Sequence, residues 1–430
     1  MITTIISLSL LLYIIYDFKK GFILFGTFFF FLKYFPTGIG NLSLSFAASL
    51  LLLFVFIVKR NKHKIEPVPR PVIITSFIMA GCWLITEFVS GFMNLSGWLN
   101  LVTTSFVFPW IMWQAIRSKE DTVLFIKAFA LSFLIIEIYG VFQEFTNTNP
   151  IYAMLNPDVS STSSYRFGLV RINSILGFSS TFGVFSMFSY YIFTRLYKRS
   201  LYFKAANGRP PSLLFNYKTY VILSVFGVIC CATRSCYIMF VVLSIFVILD
   251  NLDNKPSRKK MILSIACISI ITIYFIGFSD LISDLIYKLD NSAKGSSSEM
   301  RENQLEISLY WMKDSPIWGN GRNFIFKEVA RFDEKIYGAE SLWFRLLVDY
   351  GIAGCVTYIL WVISICIVLW RYNRYYIAIP LTLFIGKTTS ILIDVDFEYF
   401  LWMSIVIIKC HQYLFIKNRP YHTDLSLYKI

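Results

Sequence analysis

The sequence predicts an all-α fold: a polytopic integral membrane protein of roughly 12 or 13 transmembrane helices with one large helical loop on its outer face. Three observations lead there. The chain is 56% hydrophobic and 15% charged, a balance typical of membrane proteins and not of soluble domains. Its apolar residues fall in runs of membrane-crossing length separated by polar connections. Its basic residues occupy alternate connections: 59–64, Arg117 with Lys119, 195–218, 255–260 and Arg371 with Arg374. The connections 34–41, 91–98 and 394–398 hold no Lys or Arg. By the positive-inside rule the basic set is cytoplasmic. The net charge of +14 then reports membrane orientation and not nucleic-acid binding.

Taken in order, residues 1–16 and 21–32 are apolar runs split by Asp17, Phe18, Lys19 and Lys20, each shorter than the ~20 residues of a straight crossing. The first lacks the basic start and small-residue cleavage site of a signal peptide. Residues 42–58, 72–90, 99–116, 122–143 and 172–193 read as spans, and 144–171 as a polar loop. The apolar run 219–249 is too long for one span at ~1.5 Å per residue. It reads as two helices joined by a tight turn at Thr233, Arg234 and Ser235. Spans at 261–278, 344–370, 375–393 and 399–416 complete the set. The chain thus divides into N-terminal transmembrane helices (1–278), a large outer-face loop (279–343), C-terminal transmembrane helices (344–416) and a cytoplasmic tail (417–430). Within the loop, 296–313 reads as an amphipathic helix with Leu305, Leu309 and Met312 as its apolar stripe, and Ser296 with Glu299 has capping-box spacing. Pro316, Gly319 and Gly321 then force a tight turn. The eight cysteines lie in or beside apolar runs without metal-site spacing and read as small hydrophobes. No P-loop, zinc or Gly-x-Ser-x-Gly pattern is present.

The chemistry concentrates on the outer face. Arg166, Arg171, Arg234, Arg322 and Arg345 all fall there, where short loops normally avoid positive charge. A guanidinium grips phosphate oxygens at two points and stays charged, so the five suit the pyrophosphate of an anionic lipid. The plainer reading pairs some of them with Asp158, Asp333 or Asp349, or with ordinary phospholipid. Glu340, at the outer mouth of a span, is the candidate general base, against a plainer role as helix cap or ion-pair partner. Asp349 reads as a packing or ion-pair residue. Trp311, Trp318, Trp343 and Tyr337 suit either sugar stacking or interfacial anchoring. His63, His411 and His422 map to the cytoplasmic side, so no outer histidine is available as a base. No acidic metal cluster is evident, and neither a metal nor a cofactor is expected.

Four stretches resemble the bacterial O-antigen polymerase and O-antigen ligase superfamily: Arg171-Ile172-Asn173-Ser174 with Gly177; Thr233-Arg234-Ser235; Trp311 to Gly321, an amphipathic helix ending in Pro-x-x-Gly-x-Gly; and Glu340 to Gly354 with Leu346, Asp349, Gly351 and Gly354. Arg166 and Gly177 have the Arg-x10-Gly spacing of polymerase outer loops, while the large loop has no second copy. The resemblance covers the chain from about Leu42 onward. It implies a glycosyltransferase of the bacterial cytoplasmic (inner) membrane that takes glycan from undecaprenyl pyrophosphate at the outer leaflet. The arginines neutralise the leaving pyrophosphate, and a base deprotonates the acceptor hydroxyl. Ligases of the family carry His where this chain has Glu340, and tend to have Asn where it has Ser341. That difference favours a polymerase of repeat units for O-antigen, capsule or exopolysaccharide, with a ligase as the alternative. Expected partners are the lipid-linked glycan, membrane lipids, and a chain-length regulator and flippase of the same pathway. A third class, a transporter or flippase of lipid-linked sugar, calls for charges at mid-membrane; Glu87, Lys127, Glu137 and Lys387 are the candidates.

Overall fold

The computed structural model describes residues 2–253 apart from 33–34, 36, 38–43, 60–64, 92–94, 156–164, 167–168 and 206–210, then 297–329, 341–389, 404, 406, 408, 412 and 413. Its helices are α1 (Ile2–Tyr16), α2 (Phe18–Thr27), α3 (Leu44–Lys59), α4 (Arg70–Val89), α5 (Leu95–Val102), α6 (Phe108–Ala115), α7 (Lys119–Thr146), α8 (Ser179–Ala205), α9 (Tyr217–Cys230), α10 (Arg234–Asp253), α11 (Ser297–Met312), α12 (Leu342–Tyr372) and α13 (Ala378–Thr389). Short turns at Phe29–Leu32 and Pro150–Leu155 are also helical. The architecture is all-α, as the hydropathy requires, with one departure: Tyr165–Arg166 pairs with Leu169–Val170 as a two-strand antiparallel hairpin inside the polar loop.

Among the described residues α4, α7 and α12 are long and apolar enough to cross a membrane, and five shorter apolar helices accompany them. Exposed apolar side chains mark the surface they turn outward. On α12, Ile352, Val356, Leu360, Ile363 and Ile367 form an exposed stripe at helical spacing, which water would penalise and lipid accepts. The predicted spans at 261–278 and 399–416 lie wholly or mostly outside the described residues, so the helix count stays an expectation.

Local chemistry explains several helix ends. The Asp17 carboxylate accepts the Lys20 amide at 3.0 Å and starts α2 at the predicted corner. Ser118 caps α7, accepting the Asp121 amide at 3.1 Å, with Glu120 and Asp121 in the first turn suiting the helix dipole. Asn147, at φ 52°, closes α7 in the left-handed conformation. The span read at 99–116 begins earlier, at Leu95, and passes from α5 through a π segment, Thr103–Val107, into α6 just before Pro109, which has no amide hydrogen to donate.

Three boundaries differ from the sequence reading. The apolar pattern stops at Phe193, but α8 continues to Ala205, because Arg195 and Lys198 find an acid to pair with. The turn between α9 and α10 falls at 231–233, so Arg234 is the first residue of α10 and not the middle of the turn. On α11 the face packed inward is Gln304 and Ser308 with Ile307 and Trp311, while Leu305 and Leu309 are exposed. The stripe chosen by hydrophobicity is therefore the outward one. Ser296 lies outside the described residues, and so does the capping-box reading.

The helices pack antiparallel. Thr75 and Ser364 share a hydrogen bond at 2.8 Å, and Trp361 Nε1 donates to Ser76 at 2.8 Å, so the start of α4 lies by the end of α12. Gly140 of α7 approaches Phe182 of α8, and Gly183 of α8 abuts Cys231 and Cys236. Phe384 of α13 packs on Trp343 of α12 at 5.4 Å, and Gly386 abuts Met239 of α10. These contacts set Glu87, Arg171, Arg234, Arg322 and Arg345 at one end of the bundle. Arg195, Lys198 and Arg374 share the other.

Candidate functional site

The site begins with a break in a helix. At Gly351 (φ 62°, ψ −164°) α12 loses its regular bonding. In an unbroken helix the amides of Ile352 and Ala353 donate to the carbonyls of Val348 and Asp349. Here Ile352 N donates to Pro316 O and Ala353 N to Ile317 O, each at 3.0 Å. The freed carbonyls of Val348 and Asp349 accept from Asn320 N and Gly321 N, each at 2.9 Å. The turn after α11 is thus inserted into the ladder of α12, and all four orphaned backbone groups are satisfied. The approach requires glycine on both sides. A Cβ on Gly351 would lie 2.5 Å from Ile317 O, and one on Gly319 (φ 75°) would lie 2.5 Å from Asp349 O.

This interlock delivers side chains from distant parts of the chain. Asp349 is fully buried and accepts from Asn323 N at 2.9 Å, Ile325 N at 3.1 Å and Arg345 Nε at 3.3 Å. Arg345 Nη2 also donates to Asn323 Oδ1 at 2.7 Å. From α4, the Glu87 carboxylate accepts the Arg322 amide at 2.8 Å, and Thr86 donates to Trp318 O at 2.8 Å. Trp83 stacks on Tyr350 with ring centroids 4.5 Å apart. Arg322 itself is 9% exposed, and its Nη1 is buried with no hydrogen-bond partner. Burial pushes its pKa below the usual guanidinium value, with Tyr350 and Glu87 opposing and Arg345 adding to the fall. A buried cation with an open donor is a place for an anion to dock.

A second group of arginines stands at the same end. Asn173 accepts from Gln143 Nε2 and Asn149 Nδ2, each at 2.7 Å, and donates to Gly177 O at 3.0 Å. Gln143 in turn accepts the Asn173 and Ser174 amides at 3.2 and 2.8 Å. This network holds the chain between Arg171 and Gly177 against the end of α7. Ile172 N donates to Cys230 O at 3.3 Å, which brings Arg171 to the α9–α10 turn where Arg234 begins α10. Ser179 and Thr233 share a hydrogen bond at 3.2 Å across the same junction. Arg171 Nε is buried without a hydrogen-bond partner. Arg166 lies on the hairpin strand before this segment.

The structure therefore brings Arg322 next to Arg345, and Arg171 next to the Arg234 turn. Arg345 follows the plainer reading and pairs with Asp349. Glu340 lies outside the described residues; its neighbour Ser341 is the N-cap of α12, accepting the Trp343 amide at 3.3 Å. Asp158, Asp333 and Tyr337 are outside them too. Trp311 packs edge-on against Phe324 at 5.4 Å and Trp343 against Phe384. Of the mid-membrane charges, Lys127 is exposed, Glu137 is enclosed with Ser186 at 2.5 Å, and Glu87 holds the Arg322 turn. The sequence reading placed Glu87 in a transport route and missed its link to Arg322; the one available signal was a lone carboxylate in an apolar helix. Among the described residues no three His, Cys, Asp or Glu side chains converge as a metal site would need.

Residues 219–359 match a family model described as O-antigen ligase. The matched segment begins in α9, includes the Arg234 turn and α11, and ends in α12 beyond the interlock at Gly351. No curated protein matches the chain in a sequence search. Members of this family are glycosyltransferase-like enzymes, polymerases or ligases. The match spans 219–359, about a third of the chain; it supports the O-antigen polymerase and ligase superfamily, and with the apolar helices it indicates a membrane protein.

Proposed function

We propose that the chain is a polysaccharide polymerase, a glycosyltransferase that joins undecaprenyl-pyrophosphate-linked repeat units at the outer face of the bacterial cytoplasmic membrane, which it spans many times. The observation that carries this reading is Arg322: a buried guanidinium whose Nη1 has no partner, beside a second arginine that an acid already neutralises. The pyrophosphate of the donor docks against Arg322, and Arg171, Arg234 and Arg166 are the further candidates to bind it. As the bond between sugar and phosphate breaks, charge grows on the leaving oxygen and the fixed guanidinium stabilises it. Arg345 orients the site through Asp349 and Asn323. Glu340 takes the proton of the acceptor hydroxyl. Asp349 is a poor substitute base, because two amides and Arg345 already occupy its oxygens. The chain-length regulator and flippase of the pathway are proposed partners, together with the surrounding lipid.

Glu340 in place of the ligase histidine favours polymerase over ligase. The test is product analysis with purified protein and a lipid-linked repeat unit. A ladder of lengthening glycans supports the polymerase. Single transfer to a lipid-core acceptor, with no ladder, replaces it with the ligase. Passage of intact donor across proteoliposomes without any transfer replaces both with a transporter.

A further inference from the structure

An apolar groove on the flank of α4 takes no part in the chemistry above. It encloses about 270 Å³ between α3, α4 and the π segment, near the lower end of ligand-pocket sizes of roughly 300–1,000 Å³. Leu53, Ile73, Phe77, Ala80, Phe106 and Trp110 line it. Ser76 is the one side chain there with a hydroxyl, and that group already donates to Val72 O at 2.7 Å and accepts from Trp361 Nε1 at 2.8 Å. The groove therefore offers a polar ligand nothing. It lies on a helix of membrane-crossing length, and Phe77 beside it is 75% exposed. An exposed apolar mouth of this kind suits hydrocarbon better than water. One wall is the π segment, an irregularity that often marks functional sites.

The position of the groove links it to the arginine site. Ile73, Phe77, Ala80, Leu84 and Glu87 follow one another at helical spacing, so they form a single stripe along α4. Glu87 closes that stripe at the end where it binds the Arg322 turn. At ~1.5 Å per residue, Ala80 lies about 10 Å and Ile73 about 21 Å along the helix from Glu87. A single helix face thus runs from the carboxylate that holds the Arg322 turn to an apolar slot. A lipid with an anionic head for Arg322 and a long tail for the slot matches both ends of it.

We propose that this groove holds the first part of the hydrocarbon tail of the lipid-linked donor whose pyrophosphate docks at Arg322. The proposal rests on the donor reading above and adds to it a place for the tail. Bulk phospholipid is the competing occupant, and the test separates the two.

The experiment uses the full chain in lipid nanodiscs and two photoreactive probes. One is a polyprenyl pyrophosphate with a diazirine near the head end of its tail; the other is a phosphatidylglycerol with a diazirine on an acyl chain. Labelled residues are mapped by mass spectrometry. The polyprenyl probe is expected at Phe77 and Trp110, and excess unlabelled polyprenyl pyrophosphate should lower that labelling about tenfold or more. Arg322→Ala should lower it as well, since the head anchor is gone, while leaving phospholipid labelling unchanged. Ala80→Phe, which fills the slot, should abolish the competed fraction. Should that variant fail to fold, the wild-type competition still decides. Equal, uncompeted labelling of the groove by both probes overturns the proposal, as does competed labelling elsewhere. Competed labelling in the groove by a protein that transfers no glycan sinks the glycosyltransferase reading and leaves the tail site standing. Glycan transfer with an unlabelled groove does the reverse.

Discussion

Arg195 and Arg322 are two buried arginines at opposite ends of one bundle, and they differ in what faces them. Arg195 Nη1 meets Asp250 at 2.5 Å, with Lys198 sharing the same carboxylate oxygen at 2.7 Å. Its Nη2 donates to Tyr191 at 3.1 Å, and its guanidinium lies over the rings of Tyr191 and Tyr376. Only its Nε, among buried atoms, lacks a partner. Arg322 has Glu87 nearby, but that carboxylate receives its backbone amide, and the Nη1 of Arg322 is buried without a hydrogen-bond partner. Each keeps one buried donor without a hydrogen-bond partner; the difference is that Arg195 is neutralised by a carboxylate on its Nη1. The end with the surrounded arginine is closed by its own acid, and the other is the end proposed above to take an anion.

Four substitutions break or sharpen that contrast. The largest loss is expected from Glu340→Gln, which keeps size and hydrogen-bonding capacity but cannot accept the proton. Chain extension should fall on the order of 10²- to 10⁴-fold. Donor binding should stay near normal, because the proposal gives the hold on the pyrophosphate to the arginines. Near-normal extension by the Gln variant eliminates the base role.

Arg322→Ala comes next, with transfer reduced on the order of 10²- to 10³-fold. Arg322→Lys should recover little of it, because an ammonium cannot make the planar two-point contact. Both are read as kcat and KM with purified protein at matched folded amounts. Full activity in the Lys variant would mean that charge alone suffices, and the argument from guanidinium geometry would fail.

At the surrounded end, Asp250→Asn should act on stability and not on chemistry. It leaves Arg195 and Lys198 without their anion, a loss of about 3–5 kcal/mol for a broken buried pair. Thermal unfolding in detergent should show the drop, while the folded fraction transfers glycan at the wild-type rate. A fall in kcat with unchanged Tm would erase the distinction between the two ends.

The smallest effect tests the interlock beneath Arg322. Gly351→Ala places a methyl group against Ile317 O in a left-handed backbone, and should destabilise by about 1–3 kcal/mol. Gly81→Ala on α4 meets nothing within 4 Å and serves as the control. If the two variants unfold alike, the close approach of the turn to α12 is not required.

Much of the local structure was legible. Pro316, Gly319 and Gly321 announced a turn, and a turn is there. Asp17 and Ser118 begin helices because a carboxylate or hydroxyl before a helix satisfies its free amides. The run 219–249 is indeed two helices, interrupted at 231–233. The face of α11 was misjudged for a physical reason as well. Hydrophobicity marks the outward stripe when the surroundings are lipid or interface, while Gln304 and Ser308 pack against protein. The extension of α8 past Phe193 was invisible, because the pairing that supports it lies 55 and 52 residues away at Asp250.

The sequence by itself determined the membrane class, most helix boundaries and the five candidate arginines. Those follow from hydropathy, charge alternation and the backbone chemistry of proline, glycine and capping residues, all of which act over a few neighbouring positions. Only the tertiary structure decided which arginine is neutralised and which is open. Arg345 meets Asp349 one helical turn away, a pair that local spacing permits but does not require. Arg322 meets Glu87 across 235 residues, through a turn inserted into a broken helix. A contact of that separation depends on how the helices pack, and no local pattern in the chain encodes it.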